Sequence, residues 1–329
     1  MNVGELGEFA LIELIKGIVG NPFRDDVILG IGDDTSVWRT QNGIQLGTTD
    51  SLIQGVHFTL NNATWHDLGW KALAVNLSDI AAMGGEPSYA LISLGLPPQI
   101  EVDDVVALYR GLKEIAGEFN VDICGGNLSN APVVMISVSL IGTASENFLV
   151  RSSASPGDQI AVTGCLGQAA AGLKMLASGL EFEPGTDAYF RKAHFRPYPR
   201  IAEGRILVQQ GVKTAIDLSD GLVSDLTHIA RASNVGAKVY IQNLPVHPLV
   251  KTAFSTEVSS LALSGGEDYE LLFTAKSYVI NRVKTLIKVP VTVIGEVTSD
   301  EPGYVKLIDE KGSDIEWSQY GWEHFKPLH

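Results

Sequence analysis

Apolar residues recur at helical spacing through ELGEFALIELIKGI (residues 5–18), which predicts an opening helix. Two short strand-like runs follow at 27–31 and 44–49, on either side of an acidic GDD turn. Thr64 then stands where an N-cap belongs, ahead of a largely apolar segment that runs to about Met83 and is stopped by Gly84, Gly85 and Pro87. The pattern next predicts a strand at 88–96, a helix at 102–118, and strands near 121–124 and 132–142. The stretch VRSSASPGD (150–158), rich in Ser, Pro and Gly, breaks the pattern and marks a domain boundary. Beyond it come strand 159–163, helices 166–178 and 199–210, strand 213–217, helix 221–233, strands 237–242 and 270–274, helix 277–287 and strand 291–297. Helices and strands mix without strict βαβ alternation, so the expected class is α+β in two domains, residues 1–148 and 149–329.

Composition narrows the setting. Hydrophobic residues make up 45% and charged residues 19% of 329 positions, which is globular rather than disordered. Cys124 and Cys165 lie far apart and match no metal or redox spacing, as expected in a reducing compartment. Glu5, Glu8 and Glu13 interrupt what would be a leader, and no apolar run reaches membrane-spanning length, so a cytoplasmic protein is expected. A formal net charge of −14 argues against nucleic acid or anionic membrane as partner. Any anionic substrate would have to arrive with cations.

The acids are not spread evenly. Asp33 and Asp34 follow the first strand-like run, Asp50 ends IQLGTTD, and Asp79 lies inside the apolar AVNLSDIAAMGG. Asp217 and Asp220 lie in AIDLSDGL, and Glu267 and Asp268 in ALSGGEDYELLF. Carboxylates embedded in apolar segments need a basic partner, backbone donors or a metal ion. With only 24 Lys plus Arg in the chain, a shared cation is the economical partner, and oxygen-only ligands select a hard ion, Mg²⁺ or Mn²⁺. Taken singly, each acid also has a plainer reading: Asp33-Asp34 as a solvated turn, Asp50 as a strand end, Asp220 as a helix cap. Asp79 is hardest to read that way, and five such clusters in one acidic chain argue against a structural reading of all of them together. There is no Walker A loop, H-E-x-x-H, EF-hand loop or G-x-S-x-G elbow, and acids follow Gly30-Ile31-Gly32 where a dinucleotide fold would put a phosphate-binding helix. Phosphoryl-transfer or hydrolase-like chemistry on several divalent ions stays open.

In order along the chain, LGIGDD, TTDSLIQGVHF, KALAVNLSDIAAMGG, GGN, AIDLSDGLVSDL and LSGGEDYELLF resemble the thiamine-monophosphate kinase family. That family belongs to an ATP-dependent superfamily with aminoimidazole ribonucleotide synthetase and selenophosphate synthetase. The resemblance runs from about Glu5 to the terminal YGWEHF. It implies a two-domain fold like that of aminoimidazole ribonucleotide synthetase, with residues 1–148 binding ATP and Mg²⁺ and forming a shared sheet in a homodimer. Residues 149–329 would complete the nucleotide and substrate site. The implied reaction takes ATP and thiamine monophosphate to ADP and thiamine diphosphate; the attacking phosphate oxygen is already ionised, so no general base is expected.

Carried onto this sequence, the resemblance implies metal ligands at Asp34, Asp50, Asp79, Asp217 and Asp220, with Asp33 beside them and Thr48, Thr49 and Asn127 adding oxygens. Many members have Asp at the position of Asn127. Tyr109, Gly126, Asn127, Arg151 and Ser219 correspond to ATP-binding positions, although Arg151 also reads as a linker Arg and Tyr109 as a core aromatic. His57, Glu267 and Trp322 correspond to thiamine-binding positions, where an aromatic face and an acid suit a flat cationic ligand; the family often has Tyr in place of Trp322. His194 and His228 read as structural. The rival readings are a sister synthetase of the superfamily, a Mg²⁺-dependent phosphatase, and a non-catalytic nucleotide- or metal-binding regulator. A selenophosphate synthetase would need a Cys near the N-terminus, and none precedes GDD.

Overall fold

The computed structural model describes residues 3–20, 22, 24–318, 321 and 324. The first half builds a six-stranded sheet from β1 (Val27–Leu29), β2 (Ser36–Thr40), β3 (Gly43–Ile53), β4 (Glu86–Leu96), β5 (Asp122–Asn130) and β6 (Met135–Ala144), in the order β1-β2-β3-β6-β4-β5. Its pairings are antiparallel except β4 with β5. The second half builds a seven-stranded sheet from β7 (Gln159–Thr163), β8 (Thr214–Asp217), β9 (Gly236–Tyr240), β10 (Leu271–Ala275), β11 (Val291–Thr298), β12 (Val305–Ile308) and β13 (Asp314–Ile315). Its order is β13-β12-β9-β11-β7-β10-β8, with only β12–β9 parallel.

Eleven helices accompany the sheets among the described residues: α1 (Val3–Leu6), α2 (Glu8–Val19), α3 (Trp65–Ala82), α4 (Val102–Glu118), α5 (Gln168–Ser178), α6 (Pro184–Phe195), α7 (Ile201–Gln209), α8 (Leu222–Ala232), α9 (Pro248–Ala253), α10 (Val258–Ser264) and α11 (Ser277–Leu286). Thr64 caps α3 as expected, its hydroxyl accepting from the Asp67 amide at 3.1 Å. Every residue of α3 from Leu68 to Ser78 is buried, the mark of a helix packed on all sides. It lies against β3, β4 and β6 on one flank and against α4, α7 and β8 on others. Asp79 therefore sits where first sheet, second sheet and helix meet.

Strand alternation divides the second sheet between two cores. Ala161, Ala215, Leu271 and Phe273 join the core built on the first sheet, with Leu73, Leu77, Ile92 and Leu140. Their neighbours Ile160, Val162, Ile216 and Leu272 face the other way, toward Met175, Leu226 and Leu263 of α5, α8 and α10. The expected α+β class is what the fold has. Several elements differ from expectation. The opening helix breaks at Gly7, whose φ is 82°, into α1 and α2. GDD is followed at once by β2, so the second strand-like run belongs to the third strand, which reaches Ile53. The strand expected near 121–124 runs on through GGNLSN as β5. Helices α6, α9 and α10 and strands β12 and β13 were not foreseen. Among the described residues no helix is long and apolar enough to cross a membrane.

Candidate active site

Thr48 and Asp50 lie two residues apart on β3 and so project from the same face, toward α3. The Thr48 hydroxyl donates to Asp79 Oδ2 at 2.5 Å, and the Asp50 amide donates to Asn76 Oδ1, one turn before Asp79, at 3.1 Å. Thr49 faces the opposite side, donating to the Val138 carbonyl at 3.0 Å. Asp217 ends β8, where the Ser78 hydroxyl donates to its Oδ2 at 2.6 Å. The GDD loop brings Asp34 in from a third direction. Asp34, Asp79 and Asp217 each offer a carboxylate oxygen, and these oxygens lie within 4.8 Å of one another.

Arg151 is the cation that meets this group. It opens a short 3₁₀ turn, and its guanidinium pairs with Asp34 while its Nε lies 3.8 Å from Asp33. Its own amide donates to Asp33 Oδ2 at 3.2 Å, and the Asp34 amide donates to Asp33 Oδ1 at 3.0 Å. Asp33 thus orders the loop while Asp34 faces the carboxylates. One arginine does not balance so many acids. Burial first, and then the neighbouring charges of Asp50, Asp217 and Asp34, push the Asp79 carboxyl well above the usual range. Burial and the Asp34 charge raise Asp217 to about 8, and burial and the same charge raise Asp33 to about 6. Asp50 is open to solvent, but protein crowded around it still raises its carboxyl. A buried, oxygen-only, mutually repelling donor set fits hard divalent cations.

Beside the GDD loop opens a cleft of about 1200 Å³, walled by α2, the middle of β3 and β6, and α8. Asp33, Asp34, Thr48, Thr49 and Arg151 line it, and Lys16 and Arg231 add positive charge. Near its α8 wall, Asp220, Asp225 and His228 offer ligand atoms within 4.8 Å of one another. Asp225 is buried and accepts from the Gly221 amide at 3.1 Å and the Asp220 amide at 3.3 Å, fixing the DGL turn. Burial, then Arg151 and Arg231, lower the His228 imidazole to about 4, so it is neutral at pH 7. Asp225 escaped the sequence reading because an Asp in the first turn of a helix reads as an ordinary dipole contact.

A third group surrounds Glu267. Lys71 Nζ lies 2.7 Å from Glu267 Oε1, and His194 Nδ1 lies 3.1 Å from Oε2. Neither Lys71 nor His194 was singled out as functional, since a Lys in an apolar helix and a lone His carry no local signal of a partner about 70 or 200 residues away. Burial favours a neutral Glu267, but Lys71 and His194 outweigh it and hold the carboxyl at about 2. His57 faces the same charges; its Nδ1 accepts from the Ile53 amide at 3.1 Å and its ring meets His324 edge-on at 5.2 Å. Ser219 joins the two motifs, its carbonyl accepting from the Glu267 amide at 2.8 Å. Trp322 lies outside the described residues. A side chain at its described neighbour Gly321 would strike the Asp220 carbonyl at 2.1 Å, so the backbone at Gly321 lies close against the DLSD turn.

The remaining residues stand apart. Tyr109 packs half-buried from α4 onto the first core, and Gly126 and Asn127 lie exposed on β5. Strands β4 and β6 separate β5 from β3, so within one chain these three do not line the cleft.

Two family descriptions match the chain: AIR synthase related protein, N-terminal domain, over residues 32–144, and AIR synthase related protein, C-terminal domain, over residues 155–308. Fold and paired acids thus define a protein of the AIR synthase related class. Within that class, thiamine-monophosphate kinase of Escherichia coli strain K12 is 38% identical over 328 residues, covering 97% of this chain and 98% of the relative. The Bacillus subtilis strain 168 thiamine-monophosphate kinase is 36% identical over 313 residues, covering 92% and 95%. The solved structure of AaThiL complexed with AMPPCP and TMP superposes with a TM-score of 0.87 at 36% identity, covering 98% of this chain and 99% of the other. The chain belongs to the thiamine-monophosphate kinase family.

Proposed function

We propose that this protein transfers the terminal phosphoryl group of ATP to the phosphate of thiamine monophosphate, giving ADP and thiamine diphosphate. The observation that carries the reading is the convergence of Asp34, Asp79 and Asp217 beside a cleft large enough for a nucleotide. In this reading Asp34, Asp79 and Asp217 hold Mg²⁺, with Asp50, Asp220 and Thr48 at the margins of the same ligand set. Bound Mg²⁺ would neutralise the two facing polyanions and the charge that develops on the moving phosphoryl group. Arg151 holds the GDD loop through Asp33 and Asp34 and presents its remaining donors to the cleft. Lys16 and Arg231 draw the triphosphate in from the other wall. Glu267 and His57, some way along α3 from Asp79, receive the thiamine end. No side chain is asked to remove a proton, because the attacking phosphate oxygen is ionised at neutral pH.

Residues 1–148 would then supply most metal ligands and residues 149–329 would complete the pocket. A homodimer through the first sheet belongs to the same reading. It is supported by the apolar Tyr89, Leu91 and Leu128, which are 52%, 46% and 70% exposed on β4 and the edge strand β5. Such pairing would give Tyr109, Gly126 and Asn127 a second chain to serve. Free cysteines at 124 and 165 support a cytoplasmic setting.

The test is a coupled assay with ATP, Mg²⁺ and thiamine monophosphate. ADP and thiamine diphosphate should appear in equal amounts, and neither should form after chelation. Inorganic phosphate released from thiamine monophosphate without ATP would point to a phosphatase instead. Nucleotide binding without turnover would point to a regulator.

A further inference from the structure

We propose that Lys71 and His194 are positioning residues that hold Glu267 as a fixed, ionised acceptor for the amino-bearing ring of thiamine monophosphate. The inference rests on the substrate reading of Glu267 given above and adds two residues that reading does not contain. Lys71 is the largest fully buried side chain of the molecule's described residues, with 1% of its side chain exposed. A lysine ammonium in such a place needs a carboxylate, and Glu267 is the one at 2.7 Å. His194, with 3% of its side chain exposed, approaches the other oxygen from α6. The two supports come from elements far apart in sequence, which is how a carboxylate is clamped rather than merely neutralised.

The backbone is held as firmly as the side chain. Glu267 has φ 67° and Tyr269 φ 49°, a left-handed geometry costly for residues other than glycine. It persists because the Glu267 and Tyr269 amides donate to the Ser219 and Leu218 carbonyls at 2.8 and 2.9 Å. With Lys71 Nζ beside Oε1 and His194 Nδ1 beside Oε2, 24% of the side chain still opens to solvent, leaving acceptor lone pairs on that side. Burial and the Lys71 charge lower the His194 imidazole and favour its neutral form, whose Nδ1 lies 3.1 Å from Glu267 Oε2. An ionised carboxylate only accepts. It selects N–H donors and positive charge, which the aminopyrimidine–thiazolium end of the substrate provides and its phosphate end does not. The clamp therefore sets which way round the substrate lies, with its phosphate toward the aspartates of α3 and β8.

The experiment is steady-state kinetics on the full chain, with both substrates varied, for Glu267→Gln, Lys71→Met, His194→Leu, His194→Gln and the double variant Lys71→Met/Glu267→Gln. Lys71→Met and His194→Leu should raise KM for thiamine monophosphate by about tenfold or more, with KM for ATP within about twofold. His194→Gln keeps a donor and should recover most of the loss. In the Glu267→Gln background, adding Lys71→Met should change KM for thiamine monophosphate by less than about twofold, because its effect runs through the carboxylate. If Glu267→Gln raises that KM but Lys71→Met and His194→Leu leave it alone, the positioning role is wrong and the substrate reading stands. Equal losses toward both substrates would also overturn it, as a sign of general damage. If Glu267→Gln itself has no effect, the substrate reading of Glu267 fails first. Should Lys71→Met not fold, the pair His194→Leu and His194→Gln decides the matter, because His194 lies on a separate helix.

Discussion

At Asp79 the proposed ligand role and the stability of the empty fold pull in opposite directions. It sits on a helix buried on all sides, with Asp34, Asp50 and Asp217 close enough to push its carboxyl upward. Asp79→Asn removes a repelled, desolvated carboxyl while keeping the shape and an acceptor for Thr48. Turnover should fall by about 10²–10³-fold, while the melting temperature in chelator-treated buffer rises by about 2 °C or more. Parallel kinetics and calorimetry check both; unchanged turnover would remove Asp79 from the ligand set. Glu267 behaves in the opposite sense. Its carboxyl lies near 4.5 when unfolded and at about 2 in the fold, so the stability it contributes is present above 4.5 and is lost as pH falls toward 2. Lys71→Met should flatten that acid loss, measured as melting temperature between about pH 5 and pH 3. Asp79 was legible in the sequence because a carboxylate inside an apolar run contradicts its surroundings. Glu267 gained its role only from the family resemblance, and Lys71 and His194 gained theirs only from the fold, since nothing in KALAV or RKAHF marks a distant partner.

At the scale of elements, helices and strands with a clear apolar pattern were legible, while α6 and the shortest helices were not. Helices α3, α4 and α11 matched their spacing within a few residues, whereas α9 and α10 are too short to express a period. The continuation of strand β5 beyond residue 124 was hidden by glycines that the packing requires. A side chain at Gly126 would strike the Ile92 carbonyl at 1.8 Å, so the parallel β4–β5 pairing admits no larger residue there. The crossing of α3 and α4 depends on glycine in the same way: a Cβ at Gly111 would lie 1.9 Å from the His66 carbonyl. Helix propensity alone says that Gly→Ala in a helix stabilises by about 1 kcal/mol. Here backbone contact decides. Gly111→Ala should destabilise by about 1–3 kcal/mol as the helices are forced apart, read by denaturant unfolding. Because α3 carries Lys71, Ser78 and Asp79, the same change should also lower turnover. A net gain in stability would show that the crossing has slack.

Across the whole molecule, no single part owns the site. Asp34 comes from the loop after β1, Asp79 from the central helix, Asp217 from the second sheet and Arg151 from the connection between the halves. The sequence shows these acids as separate clusters; their meeting depends on two sheets sharing one core, which no local pattern encodes. That convergence couples protonation, cations and global stability. Asp33 and Asp217 have carboxyls raised from 3.8 to about 6 and about 8. Their protonated forms fold best, so the stability they permit is complete below about pH 4 and is lost as pH rises through 6 and then 8. Chelator-treated protein should therefore lose melting temperature as pH is raised from about 5 to 8. In the proposed reading a divalent cation would bind the ionised carboxylates of the folded state, so saturating Mg²⁺ should raise the melting temperature most at the alkaline end and cancel much of the slope. Asp79→Asn should weaken this response to Mg²⁺, and Glu267→Gln should leave it intact, because Glu267 faces Lys71 and His194 rather than the aspartate trio. Scanning calorimetry over that pH range, with Mg²⁺ and with chelator, tests the coupling directly: parallel pH curves with and without Mg²⁺ would mean that cations do not bind at these carboxylates.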